Sequence, residues 1–254
     1  MLTQAIAILA LSASAAPQEP TAKDLIQKML GRYYAAKTLV GKIRLTVSTE
    51  TGSASLDTVL QYERPAKLYI KQQKSVANPD PEVPSTWLVT SDGNTFSYQV
   101  PNDRYAASPG LRLVEPVHNQ RVSVTQDIGS IYAASSKSIG DRSTPLDIAI
   151  SARSDLAYRR DQWINYRIQG TQQMRGKDAY LIVGDFREYA GAVKSGTYRM
   201  AITADGDLLQ YAEELHVAVE AGNNPKSVKV TSVWDVDLQI DGKVDPALFR
   251  VVVR

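Results

Sequence analysis

The chain has 254 residues, with 29 Lys and Arg against 27 Asp and Glu, a formal charge of +2, and no cysteine. That length suits one large β domain or two small ones. Near-balanced charge leaves no basic surface for nucleic acid, and the lack of cysteine excludes thiol nucleophiles, zinc–thiolate sites and disulfides.

The chain opens MLTQAIAILALSASAAPQEP, with no charged side chain before Glu19. Residues 5–11 form a short apolar run, and Ala13-Ser14-Ala15 has the small-x-small form of a signal-peptidase site. The reading is a secretory signal peptide over residues 1–15 and a mature chain of residues 16–254 that is exported and soluble. The apolar run is far short of the ~20 residues a membrane span needs.

Residues 21–36 read as a helix. Thr21 with Asp24 resembles a capping box, and Ile26, Met29, Leu30 and Tyr33 recur at helical spacing. After Lys37 the period falls to two. GKIRLTVS sets Ile43, Leu45 and Val47 on one face, ASLDTVLQYER sets Leu56, Leu60 and Tyr62, and AKLYIKQQ sets Leu68 and Ile70. The Pro-rich stretch 78–84 reads as a loop. WLVTSDGNTFSYQVPNDRY then reads as a hairpin turning at Asp92-Gly93. Trp87, Val89, Phe96 and Tyr98 share its apolar face, and Thr95, Ser97 and Gln99 fall on the wet one.

Residues 106–126 show little period. Short helices are expected at 127–137, carrying Ile131, and at 144–153, where Thr144-Pro145 opens favourably and Leu146 and Ile150 follow. From Trp163 the period of two returns in WINYRIQGTQQM, AYLIVGDF, GTYRMAIT, LLQYAEELHVAVE and KSVKVTSVWDVDLQI. That makes about ten strands and three helices. No linker divides the strand sets, so a single domain is expected, its dry sheet face covered by the helices.

Catalytic patterns are missing. His118 and His216 have no partner at metal-ligand spacing, and no G-x-S-x-G elbow occurs. Lys194-Ser195-Gly196 lacks the Ser-x-x-Lys that would give it meaning, and Gly170 with Gly176-Lys177 fails the phosphate-loop spacing. Glu213 and Glu214 point to opposite faces of a strand, and Asp235 with Asp237 share a polar face with Lys229. No catalytic residue, metal or cofactor is expected.

Several of these stretches together resemble the LolA-like group, which includes periplasmic lipoprotein carriers, lipid-binding lipoproteins and an envelope-stress sensor domain. The matching features are Gly41 opening the first strand, Arg64-Pro65, Asp92-Gly93, Tyr98 with Pro101, STPLDIAI, TYRMAITADGDLLQ, and VDLQIDGKVDPALF with its closing Pro-x-x-Phe. The resemblance covers nearly the whole mature chain. It implies a mainly β (α+β) fold, a curved, incompletely closed antiparallel β-barrel of about ten to eleven strands with helices in the open mouth.

It also implies a non-enzymatic, periplasmic carrier, expected as a monomer, that holds lipid acyl chains or a lipidated protein between sheet and helices. The residues expected to line that space are the helical Ile26, Met29, Leu30, Ile131, Leu146 and Ile150. The sheet is expected to add Ile43, Leu45, Val47, Leu56, Leu60, Tyr62, Leu68, Ile70, Trp87, Val89, Phe96 and Tyr98. The alternative is a sensor or interaction module of the same fold that binds a membrane-anchored protein partner through loops 73–86 and 102–126.

Overall fold

The computed structural model describes residues 19–50, 52–75, 86–99, 112–116, 127–135, 143–150, 161–187, 193–221 and 224–251. The expected leader, His118, Pro101, the loop at 78–84 and most of 102–126 lie outside the described residues.

The first helix, α1, spans Ala22–Ala35. Its start is a reciprocal cap: the Thr21 hydroxyl accepts from the Asp24 N–H at 3.2 Å, and the Asp24 carboxylate accepts from the Thr21 N–H at 3.3 Å. Leu25, Ile26, Met29 and Tyr33 form its buried stripe. Eleven strands follow among the described residues: β1 Thr38–Thr49, β2 Gly52–Glu63, β3 Lys67–Ser75, β4 Thr86–Asp92, β5 Thr95–Gln99, β6 Arg112–Pro116, β7 Trp163–Met174, β8 Lys177–Phe186, β9 Val193–Thr203, β10 Leu208–Ala221 and β11 Asn224–Ile240. Between β6 and β7 lie α2, Ile128–Ala134, and α3, Thr144–Ile150.

All the strands pair antiparallel in one sheet of order β6-β5-β4-β3-β2-β1-β11-β10-β9-β8-β7. Its edges, β6 and β7, do not pair with each other, so the sheet is not closed into a barrel. Each half is a meander of strand neighbours, and β1 against β11 joins the halves. The join brings Gly41, inside β1 rather than at its start, opposite Leu238. The alternation read from the sequence fixes one face as dry because successive side chains point to opposite faces. Ile43, Leu45, Leu56, Leu60, Leu68 and Ile70 are all buried there, with the helices packed on the same side.

Three features differ from the sequence reading. Strand β6 lies in the stretch that showed no period. Polar side chains stand inside the dry face: Gln72 and Thr58 are buried and paired at 3.1 Å, and the Ser91 hydroxyl donates to the Ala66 carbonyl at 2.6 Å. Ser97, expected on a wet face, is only 2% exposed, as is its neighbour Thr90 at 3%. A 3-10 turn at Pro246–Phe249 packs against β3 and β4, and the Asp245 N–H donates to Gln61 on the outer side of β2 at 3.0 Å. The closing segment therefore lies over the outer side of β3 and β4, and Thr90 and Ser97 are buried on that face.

Arg64, at the end of β2, ties the helices down. Its Nε donates to the Ala36 carbonyl at 3.0 Å and its terminal nitrogen to the Ile150 carbonyl at 3.2 Å, while its guanidinium lies 5.4 Å from the centre of the Tyr62 ring. It satisfies the carbonyl of Ala36, just after α1, and that of Ile150 in α3. Arg64→Met should lower the unfolding free energy by about 2–3 kcal/mol, because charged hydrogen bonds to half-buried carbonyls are worth more than neutral ones. A urea melt with unchanged midpoint would show that the helices are held by apolar packing alone.

On the outer face the β7–β8 hairpin carries a clip. Arg175, at positive φ (51°) in the tip, donates to the carbonyls of Leu209 and of Val236, the latter at 2.7 Å. Beneath it Ala179, Ala201 and Leu209 form a small second apolar cluster. Leu209 faces outward because a bulge between Leu208 and Gln210 shifts the register of β10 against β9. No helix among the described residues is long and apolar enough to cross a membrane.

Candidate functional site

The concave face and its helices make one apolar interior. Of the residues expected to line a cavity, Ile26, Met29, Ile43, Leu45, Leu56, Leu60, Tyr62, Leu68, Ile70, Val89, Phe96, Ile131, Leu146 and Ile150 are buried in it. Leu30, Val47, Trp87 and Tyr98 pack at its margin, partly exposed. The structure thus brings the whole set together.

It adds a second group from the later strands: Trp163 and Phe186, Tyr198, Met200 and Ile202, Leu208 and Tyr211, Trp234 and Val236. The signal for these was present in the alternation of WINYRIQ, TYRMAI and SVWDVDL, but the lining set was drawn from the first meander only.

One surface cleft opens onto this interior between α1 and the edge strand β7, with a volume of about 350 Å³. Ile26, Leu30, Trp163 and Ile164 form its floor. Tyr166, 37% exposed, stands at its rim with Lys23, Arg187 and Asp161. Its size lies at the low end of the ~300–1,000 Å³ common for small-molecule pockets. The residues exist here for local reasons: Ile26 and Leu30 are one helical turn apart, and Trp163 starts the edge strand just after the Gln162 carbonyl accepts from the Arg187 N–H at 2.8 Å.

Behind the cleft the interior turns polar. Tyr198 lies between Trp163 and Phe186, with ring centroids 5.9 and 5.4 Å away. Across the β9–β10 pair Tyr198 faces Glu213, whose carboxylate accepts from the Thr144 hydroxyl at 3.2 Å. Glu213 thus points into the concave side. Tyr211, two residues before it, is fully buried beside Thr144, Glu213 and Trp163, without a hydrogen bond of normal geometry. Burial pushes the Tyr198 and Tyr211 phenols well above their ordinary range, so both are neutral donors at any physiological pH. In α3 the buried Asp147 accepts from the Tyr132 hydroxyl at 2.7 Å.

Chemically, this is a place to hold an apolar body with a polar end. An apolar floor under a rim of Lys23, Arg187 and Asp161 suits an amphiphile with a charged end.

No family model matches the chain, and no curated protein matches it in sequence. Among solved structures it is similar to the lipoprotein LppX of Mycobacterium tuberculosis, at 13% identity over 87% of this chain and 95% of that one, with a TM-score of 0.40. It is similar to a LolA superfamily protein of Nitrosomonas europaea at 10% identity over 92% and 99% of the two chains, with a TM-score of 0.30. A third similar structure is the MucA/MucB complex of Pseudomonas aeruginosa, at 10% identity over 90% of this chain and 60% of that one, with a TM-score of 0.40.

Proposed function

We propose that this chain is an exported, non-enzymatic binding protein that holds the acyl chain of a lipid or lipidated protein between its sheet and α1. The observation that carries the reading is the cleft between α1 and β7, whose apolar floor of Ile26, Leu30, Trp163 and Ile164 continues into the interior beneath a rim bearing Lys23 and Arg187. Export is supported by the uncharged leader ending in Ala13-Ser14-Ala15.

Each buried methylene is worth about 0.8 kcal/mol, so a ~16-carbon chain supplies on the order of 10 kcal/mol before ordering costs. No directed polar contact is needed for that gain, and the rim cations then orient the polar end.

Titration with a fluorescent fatty acid should saturate, and native mass spectrometry of the purified protein should show bound acyl mass. Leu30→Asp should weaken fatty-acid binding at least tenfold, since it places a carboxylate on the apolar floor beside the entering chain. Because Leu30 is only partly buried, the same variant should cost the fold no more than about 1–2 kcal/mol. Unchanged binding in Leu30→Asp would place the ligand elsewhere, and an empty titration would end the carrier reading.

A further inference from the structure

The outer face of the sheet carries a second concavity, a groove of about 400 Å³ crossing β7 to β11. Its floor is Val183, Ala212 and Val233. Ladder register sets Arg167 opposite Val183 on one side and Arg199 opposite it on the other. Two strand spacings of about 4.8 Å put their backbones roughly 10 Å apart, near enough for both long side chains to converge.

These two arginines differ from the others on this face. Arg44 is held by Asp57 through two bonds, of 2.7 and 2.9 Å, and Arg175 is spent on strand carbonyls. Arg167 and Arg199 make no hydrogen bond or ion pair among the described residues. Of the three acids that line the groove, Glu214 pairs with Lys229 at 2.8 Å, Glu213 turns to the concave side and accepts from Thr144, and Asp185 keeps its charge while accepting from the Asn165 side chain at 3.1 Å. The groove thus presents two open guanidinium forks on either side of an apolar strip.

We infer that this groove takes the phosphodiester headgroups of an anionic lipid surface, so that the outer face of the sheet docks on a membrane. A guanidinium fork matches two phosphate oxygens at once. A lone phosphate gains little from exposed charges in water, whereas a surface of many headgroups holds the protein through several weak contacts together. The strip of Val183, Ala212 and Val233 would be wasted on a hydrated free anion but is covered by the glycerol and first methylenes of a lipid. The choice of a lipid occupant rests on the acyl-binding reading; the oxyanion chemistry does not.

The test is co-sedimentation with vesicles of phosphatidylglycerol and phosphatidylcholine, beside vesicles of phosphatidylcholine alone. A basic side chain near an anionic surface is worth about fivefold in partitioning, so Arg167→Gln/Arg199→Gln should lower partitioning about 25-fold. Added salt should weaken the wild-type interaction too. Lys243→Gln/Arg250→Gln removes the same charge from exposed positions away from the groove and should stay within about twofold of wild type. Melting curves check that all variants fold.

Equal partitioning of wild type and the Arg167/Arg199 variant overturns the inference, as does equal binding to neutral vesicles. If the wild type ignores vesicles while inorganic phosphate shifts its arginine side-chain NMR signals, the site is one for free phosphate and the membrane occupant is wrong. Vesicle binding lost in the double variant, with fatty-acid titration unchanged, supports the groove as a separate site. A wild type that binds anionic vesicles through the arginines but takes no fatty acid supports the groove and ends the carrier reading instead.

Discussion

Replacing Gly41 with alanine is expected to destabilise the protein by at least about 3 kcal/mol, and to abolish folding if the starting stability is modest. Gly41 sits in β1 between Leu60 of β2 and Leu238 of β11, at a φ of +154°. A methyl group there would fall inside the Asp237 carbonyl oxygen and stand 2.9 Å from the Leu238 Cα. Those are backbone atoms of the partner strand, so no side-chain rotation relieves the contact; the two halves of the sheet would have to separate locally. Gly170→Ala is the matched control, because nothing lies within 4 Å of the position a methyl would take. It should change stability by no more than about half a kcal/mol. A Gly41→Ala protein melting like the wild type would mean that β1 and β11 do not meet in this register.

Raising the pH should unfold the protein cooperatively. Tyr33, Tyr62, Tyr198 and Tyr211 are all at most 2% exposed. Burial holds each of their phenols above the ordinary tyrosine value, and for Tyr33 the N–H of Leu208, which donates to its oxygen at 3.4 Å, offsets only part of the effect. A group whose pKa is higher folded than unfolded contributes its full stability below the unfolded pKa and loses it as the pH rises. That loss begins near pH ~10, where an unfolded tyrosine ionises, and each buried ring then costs about 1.4 kcal/mol per further pH unit. The three rings pushed up furthest, Tyr33, Tyr198 and Tyr211, make the slope roughly 4 kcal/mol per unit, enough to exhaust a stability of about 5–10 kcal/mol within one to three units. Near-ultraviolet circular dichroism should therefore collapse in the same narrow range in which tyrosinate absorbance steps up. A smooth rise in absorbance with native dichroism intact would show that water already reaches these rings.

Much of this was written locally in the chain. Thr21 and Asp24 cap α1 as their spacing suggests, and the period of two in β1 to β5 assigns Ile43, Leu60, Ile70 and Phe96 to the correct face. The Asp92-Gly93 turn is equally local: Asp92 accepts from the Asn94 and Thr95 N–H groups, both at 2.8 Å, and Gly93 takes φ +97°.

The features that escaped depend on partners distant in sequence. Ser97 is dry beside Thr90 of β4, a strand that meets a segment more than 150 residues later in the chain. Gln72 and Thr58 lie inside because each satisfies the other, which hydrophobic alternation cannot display. Strand β6 is five residues among turn formers, too short to establish a period. The cleft between α1 and β7 was illegible for the same reason: its two walls are far apart in the chain, and only the tertiary fold sets Leu30 beside Ile164.

The strand order has a consequence for how the chain reaches this state. Within each meander every strand pairs with its sequence neighbours, so most of the sheet grows by closing short loops one after another. The join of β1 to β11 is of another kind: Leu39 pairs with Ile240. Closing that loop of roughly 200 residues costs about 3 kcal/mol more in chain entropy than a tight hairpin. Until that seam closes, β1 and β11 are bare edge strands, open to strands of other chains. The clash-free backbone at Gly41 then lets the long-range seam close in a single register, which shortens that exposure.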